Sequence, residues 1–195
     1  MSTFDHEVWQ ARAWDRFQKA IVAGNDQDRV TQRWSEDIKY VSALRVVVEW
    51  CESRSLIVTF CKRGGGIYYS ADKEIKISGR ASPKHQLHIL LHECGHHLIG
   101  IKDKHERYGM GYAVTESNDK KTFHHRIDIV DEEFEAWHRG WKLALRLGAL
   151  NKFDKPGFDK TRILMLRTYL LWATKSPGYE KYDDPSGEDD NETVA

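Results

Sequence analysis

The residues whose types and spacing can do chemistry are His92-Glu93-Cys94-Gly95-His96. On a helix, residues four apart stand one turn above the other on one face. The imidazoles of His92 and His96 can therefore grip one metal ion, with Glu93 beside them to take a proton from an attacking water. On a wheel at about 100° per residue, Leu87, Leu90, Leu91, Cys94 and Leu98 fall in one arc, with His92 and His96 nearly opposite. Such a helix seals its back into a core and shows its ligands to a groove. Ser82-Pro83 opens it, serine as N-cap and proline at the first helical position, and Gly100 is placed to end it. His85 and His88 share the ligand face upstream. His88 can in principle replace a ligand, but it fits better as a groove-lining or supporting group, and His97 points elsewhere as a structural residue.

A catalytic zinc needs three protein ligands and an open position. The metzincin extension would place a glycine and a histidine after the second ligand. Counting from His96, those slots hold Ile99 and Lys102, so that route is closed. A helix predicted over 131–150 offers Glu132, Glu133 and Glu135. Its buried arc is Phe134, Ala136, Trp137, Gly140, Trp141, Leu143, Ala144, Leu145 and Leu147. Glu135 falls with His138, Arg139, Lys142 and Arg146 on the solvated face. Glu132 lies at the margin of the arc and Glu133 near its middle. A carboxylate buried there without a partner is costly, and a metal ion removes that cost. Ala136 and Gly140 on the same side would let two helices approach closely. Glu133 is thus the first choice of third ligand and Glu132 the second. An ion pair of Glu133 with a buried Arg or His is the metal-free alternative. His124 and His125 stay open as a third ligand. They also stand, with Tyr108, Tyr112 and Arg126, as donors to the oxyanion of a tetrahedral intermediate.

The elements that must position these groups read as follows. A helix over 4–23 carries Val8, Ala11, Trp14, Phe17 and Ile21 as its stripe and stops at Gly24-Asn25-Asp26. A second helical region over 26–53, with Ser35 as a breaking point, shows Trp34, Ile38, Val41, Leu44, Val48 and Cys51. Both read as a packing lobe, with a docking surface for a protein partner as the alternative. Residues 55–61 are β-branched and aromatic, a strand. Lys62-Arg63-Gly64-Gly65-Gly66 lacks the phosphate-loop pattern and reads as a hairpin turn. Strands over 67–70 and 74–78 follow, joined by Ala71-Asp72-Lys73. Residues 101–129 are a long polar loop, of the kind that often carries function. Pro156-Gly157 lies in a loop, Asp159 caps a last helix over 160–174, and the acidic tail 176–195 reads as disordered.

Thirty basic and thirty acidic side chains cancel, so net charge supplies no case for nucleic acid or an anionic membrane. No apolar run spans a bilayer, and the first residues show no signal-peptide pattern. Three cysteines without C-x-x-C spacing suit a reducing compartment, and the expected location is cytoplasmic.

H-E-x-x-H followed by Glu133-Phe134-Glu135-Ala136 resembles the gluzincin metallopeptidases, whose second site helix carries E-x-x-A. The compact size, the strands just before the helix and the H-E-x-G-H-H form are similar to the small bacterial and phage minigluzincins, including the ImmA/IrrE-like peptidases. The resemblance covers roughly 55–150. It departs at Trp137, where the family often has Asp or Asn. It implies an α+β, zincin-like domain over 55–175, with a small antiparallel sheet packed on the H-E-x-x-H helix and on a second Glu-bearing helix. Extra N-terminal (1–54) and C-terminal helices flank it. It further implies a Zn²⁺ cofactor and hydrolysis of a protein or peptide substrate. The strand over 74–78 would form the upper rim of the cleft and pair with substrate backbone. Two rivals stand beside it. One is a non-catalytic zinc-binding interaction protein on the same scaffold, engaging a phage or host factor through the N-terminal helices. The other is a SprT-like DNA-associated protease with a histidine third ligand, favoured by twelve Lys/Arg against seven Asp/Glu over 120–175.

Overall fold

A computed structural model of the chain describes residues 6–62, 64–102 and 123–174. Over these residues the protein is α+β, with five α-helices and one small three-stranded sheet. Among them no helix is long and apolar enough to cross a membrane. Tyr108, Tyr112 and the 176–195 tail lie outside the described residues.

Helix α1 (His6–Val22) packs on α2 (Gln27–Glu52). Asp26 caps α2 by accepting the Arg29 N–H at 3.0 Å. The helix runs unbroken through Ser35, which is exposed and costs only its small propensity deficit. The buried side of α1 is Trp9 and Ala13, not the stripe through Val8 and Trp14, which are both exposed. Trp14 instead stacks on Phe17 at 5.2 Å and meets Trp34 edge-on at 5.7 Å, so an aromatic cluster joins the two helices. From Tyr40 onward α2 sinks into the core through Leu44, Val47, Val48 and Cys51.

Strands β1 (Ile57–Cys61), β2 (Ile67–Tyr69) and β3 (Glu74–Ser78) form a mixed sheet in the order β1-β3-β2, not the expected antiparallel one. β1 runs parallel to β3, with Val58 opposite Ile75 and Phe60 opposite Ile77. β2 runs antiparallel to β3, with Tyr68 opposite Ile75. The glycine run is therefore no hairpin turn. It carries the chain past the place of β3 to the far edge, and the tight turn ending at Lys73 (φ 51°) brings β3 back between the other two. Val58, Ile75 and Ile77 are buried together toward the helices.

Helix α3 (Pro83–Lys102) starts where Ser82 Oγ accepts the His85 N–H at 3.3 Å. Gln86 donates to the Ser78 carbonyl at 2.9 Å and ties the helix to β3. The helix continues through Gly100, because one exposed glycine costs only about 1 kcal/mol. Helix α4 (Phe123–Leu147) begins within the stretch expected to be loop and ends at Gly148, whose φ of +67° suits a left-handed stop. Phe134 and Leu145, placed by the wheel in the buried arc, are exposed. Helix α5 (Lys155–Ala173) starts earlier than its sequence suggests. A 3₁₀ turn, Lys152–Asp154, precedes it: Asn151 accepts the Phe153 N–H at 2.8 Å, and Asp154 accepts the Asn151 N–H at 3.0 Å. Asp159 sits inside α5, pairing with Lys155 and Arg162. One apolar cluster unites α2, the sheet, α3, α4 and α5 through Leu44, Val58, Ile75, Leu91, Trp137 and Phe158.

Candidate metal centre

α3 and α4 touch backbone to backbone. A methyl group on Gly95 would stand 1.9 Å from the Ala136 carbonyl oxygen, and one on Gly140 would stand 2.3 Å from that of Leu91. Glycine at both positions is a steric requirement, and the close crossing carries the carboxylates of α4 to the histidines of α3.

Three ligand-type atoms converge there. His92 Nε2, His96 Nε2 and a Glu133 carboxylate oxygen all lie within 4.8 Å of one another. Glu133 Oε2 is 3.1 Å from His92 Nε2, and Oε1 is 3.4 Å from His96 Nε2. The two imidazole nitrogens are 3.3 Å apart. Ligands about 2.0–2.1 Å from one ion at tetrahedral angles stand roughly 3.3–3.4 Å from each other, so the spacing fits a shared metal. Glu133 Oε2 makes its short contact with His92 Nε2 without the alignment of a hydrogen bond. The donor set, two imidazoles and one carboxylate, is one that zinc accepts.

The electrostatics give the same picture. Burial alone would raise the Glu133 carboxyl, but His96 and His92 outweigh it and hold it well below the usual carboxylate range. Burial pulls the His96 ring down, while Glu133, Glu132 and Glu93 outweigh it and lift the ring to about 10. A proton on His96 compensates these carboxylates, and a metal ion held at Nε2 would have to displace it.

Glu132, the second choice as third ligand, goes to the other nitrogen of the same ring. Its carboxylate lies 3.2 Å from His96 Nδ1, so with Nδ1–H donating to it, Nε2 is the nitrogen that faces Glu133 and His92. His92 has no such partner. Its Nδ1 is buried without a hydrogen bond, and its ring lies flat on Trp137, with centroids 4.4 Å apart and planes at 21°. Trp137 thus fills with a stacked ring the position where the resemblance led to Asp or Asn.

Glu93 is only 5% exposed. Burial lifts its carboxyl; His92 and His96 oppose this, Glu133 adds to it, and the Tyr68 N–H, donating to the carboxylate, opposes it again. A methyl on Gly66 would come within 2.6 Å of Glu93 Oε1, so this glycine lets β2 pass over the helix at that point. The strand beside the site is therefore β2, at the sheet edge. β3, expected as the rim, is the central strand: it pairs with β1 along its whole length and with β2 over Glu74, Ile75 and Lys76.

Of the other expected residues, His88 is fully buried against Tyr40 and Phe158, with Nδ1 2.8 Å from Thr161 Oγ1, and stands apart from the three-atom cluster. His97 shares a hydrogen bond with the Tyr68 hydroxyl at 2.9 Å. Arg126 is turned toward α5, donating to the Ala173 carbonyl at 3.5 Å beside Trp172. His124 and His125 belong to the first turn of α4, and their side chains lie outside the described residues, as does Tyr112. Two contributors escaped the sequence. Tyr68 acts through a backbone N–H, which has no residue signature, and Trp137, correctly placed in the buried arc of α4, was not read as the ring that holds His92. Comparison with family models, curated proteins and solved structures returns no match to this chain.

Proposed function

We propose that the chain is a zinc-dependent metallopeptidase on a zincin-like scaffold, with His92, His96 and Glu133 as ligands and Glu93 as general base. The convergence of His92 Nε2, His96 Nε2 and the Glu133 carboxylate within 4.8 Å carries this reading. A bound Zn²⁺ would polarise the scissile carbonyl and acidify water in the open position. Glu93 takes the proton of the attacking water and returns it to the leaving amine. Its burial raises its proton affinity in the direction a general base needs. The Tyr68 N–H holds that carboxylate in one orientation. His124, His125 and Tyr112 are the proposed donors to the oxyanion, and the substrate is a protein or peptide in the cytoplasm.

The metal content of the purified protein tests the ligands. Native protein should hold one zinc and Glu133→Ala should lose it; unchanged zinc in that variant removes Glu133. Glu93→Gln should keep the metal and abolish hydrolysis of a peptide library. A second reading, a non-catalytic zinc-binding interaction protein, is favoured by one observation. His92, Glu93 and Glu133 are all at most 6% exposed, as in closed structural sites. Chelator-sensitive proteolysis decides for the first reading, and a zinc-loaded but proteolytically silent protein for the second.

A further inference from the structure

We propose a second binding site, at the opposite edge of the sheet from the metal centre, for a small phosphate monoester carrying a flat apolar group. β2 flanks Glu93, and β1 is the other edge of the sheet. Between β1 and α1 lies a cleft of about 360 Å³, within the size range of small-molecule sites. Arg12 of α1, Lys62 after β1 and Arg80 after β3 line it, and among the described residues no carboxylate does. These cations come from three separate segments, so the fold assembles them; they are not a local charge run. Among the described residues none of the three has a carboxylate within ion-pair distance, and Arg12 has only the face of Trp9, at 5.8 Å. Three like charges around one concavity repel and focus a positive potential into it. The floor has the opposite character: Trp9 and Phe60, with ring centroids 6.2 Å apart and tilted at 55°, form an apolar wall. A dianionic phosphate answers the rim and a planar apolar body answers the wall.

Cys61 also lines the cleft and is half-buried, whereas Cys51 and Cys94 are fully buried, so its alkylation reports occupancy in the native chain. The experiment follows iodoacetamide labelling of Cys61 in the full-length protein, with adenosine monophosphate as the probe. Saturable protection is expected, at least fivefold in rate, with half-effect below a few millimolar and weakening as salt is raised. Adenosine or inorganic phosphate alone should protect far less. Phenyl phosphate serves as a second probe: equal protection assigns the site to aryl phosphates in general, and weaker protection assigns it to nucleotides. The Arg12→Gln/Arg80→Gln double variant, altered only at exposed side chains, should need at least tenfold more adenosine monophosphate. Glu93→Gln should be protected like the native protein. Labelling that ignores adenosine monophosphate overturns the site. So does full protection in the double variant, or loss of protection in Glu93→Gln, which would put the ligand at the metal centre instead.

Discussion

The Glu132 carboxylate holds His96 by Nδ1 at 3.2 Å, while the next residue, Glu133, faces Nε2 of the same ring at 3.4 Å. Two consecutive residues on one helix thus bracket one imidazole and set the orientation of its ring. Removing the bond to Nδ1 leaves the ligands in place but frees the ring to turn. Glu132→Ala should lower zinc affinity by about 10–100-fold, and Glu132→Gln, which still accepts a hydrogen bond, by less. Competition against a chromophoric chelator measures both. Native affinity in Glu132→Ala would show that the carboxylate does not support the ligand.

His92 is held differently, by its stack on Trp137. Trp137 is fully buried and also packs on Phe158 at 5.3 Å. Trp137→Ala should destabilise the fold by about 3–5 kcal/mol. Trp137→Phe keeps an apolar ring and should leave most of the stability, yet zinc affinity should fall because His92 Nδ1 has no hydrogen bond to hold its ring. Thermal melts in chelator and metal competition separate the two effects. A Phe variant with native zinc affinity would show that the stack does not position the ligand.

The crossing of α3 and α4 makes the opposite of the usual helix prediction. Glycine to alanine inside a helix normally gains about 1 kcal/mol. At Gly95 the new methyl would overlap the Ala136 carbonyl oxygen at 1.9 Å, and the helices would have to separate. Gly95→Ala and Gly140→Ala should each destabilise by about 2–3 kcal/mol or more and lose zinc as the carboxylates of α4 withdraw. Urea titration with and without chelator checks this: equal stability in both would show that the metal no longer binds.

How much of this was legible follows from which forces are local. The apolar back of α3 (Leu87, Leu90, Leu91, Cys94) and the inward positions Ala136 and Gly140 could be read from the helical period, because burial there repeats at a fixed angle. The sheet order could not. A glycine-rich link between two strands looks alike whether it closes a hairpin or crosses to a far edge; here it crosses, and Gly66 permits the crossing by passing close over Ile89 and Glu93. The start of α4 was hidden by a first turn rich in histidine and arginine, Phe123-His124-His125-Arg126, which shows little apolar period. The face of α1 was misjudged because Trp9 and Ala13 give a narrow buried seam, while Trp14 packs against Phe17 and Trp34 at the surface. At the site, the residue types indicated Glu133 by the cost of burying it, but the division of labour between Glu132 and Trp137 depends on which ring edge each side chain reaches.

His88 gives the last prediction, independent of any metal. It lies one turn before His92 and is fully buried between Tyr40 and Phe158. Burial first, then the charges of Lys84 and His85, push its pKa down to about 4, with Asp154 opposing. The unfolded chain protonates this imidazole near pH 6.5, and the folded chain only near 4. Between those values the unfolded state binds the proton, so the contribution of His88 is intact above about pH 6.5 and is lost as the pH falls toward 4. The loss is on the order of 3 kcal/mol. His88→Gln removes the titrating group. It should be less stable than native at pH 7.5, through the lost contact with Thr161 and the two rings, yet lose less stability on acidification. Urea unfolding from pH 7.5 to 4 in chelator measures both proteins, and the difference between the two curves isolates this one imidazole. Parallel curves would mean that His88 is not the buried neutral group that the packing requires.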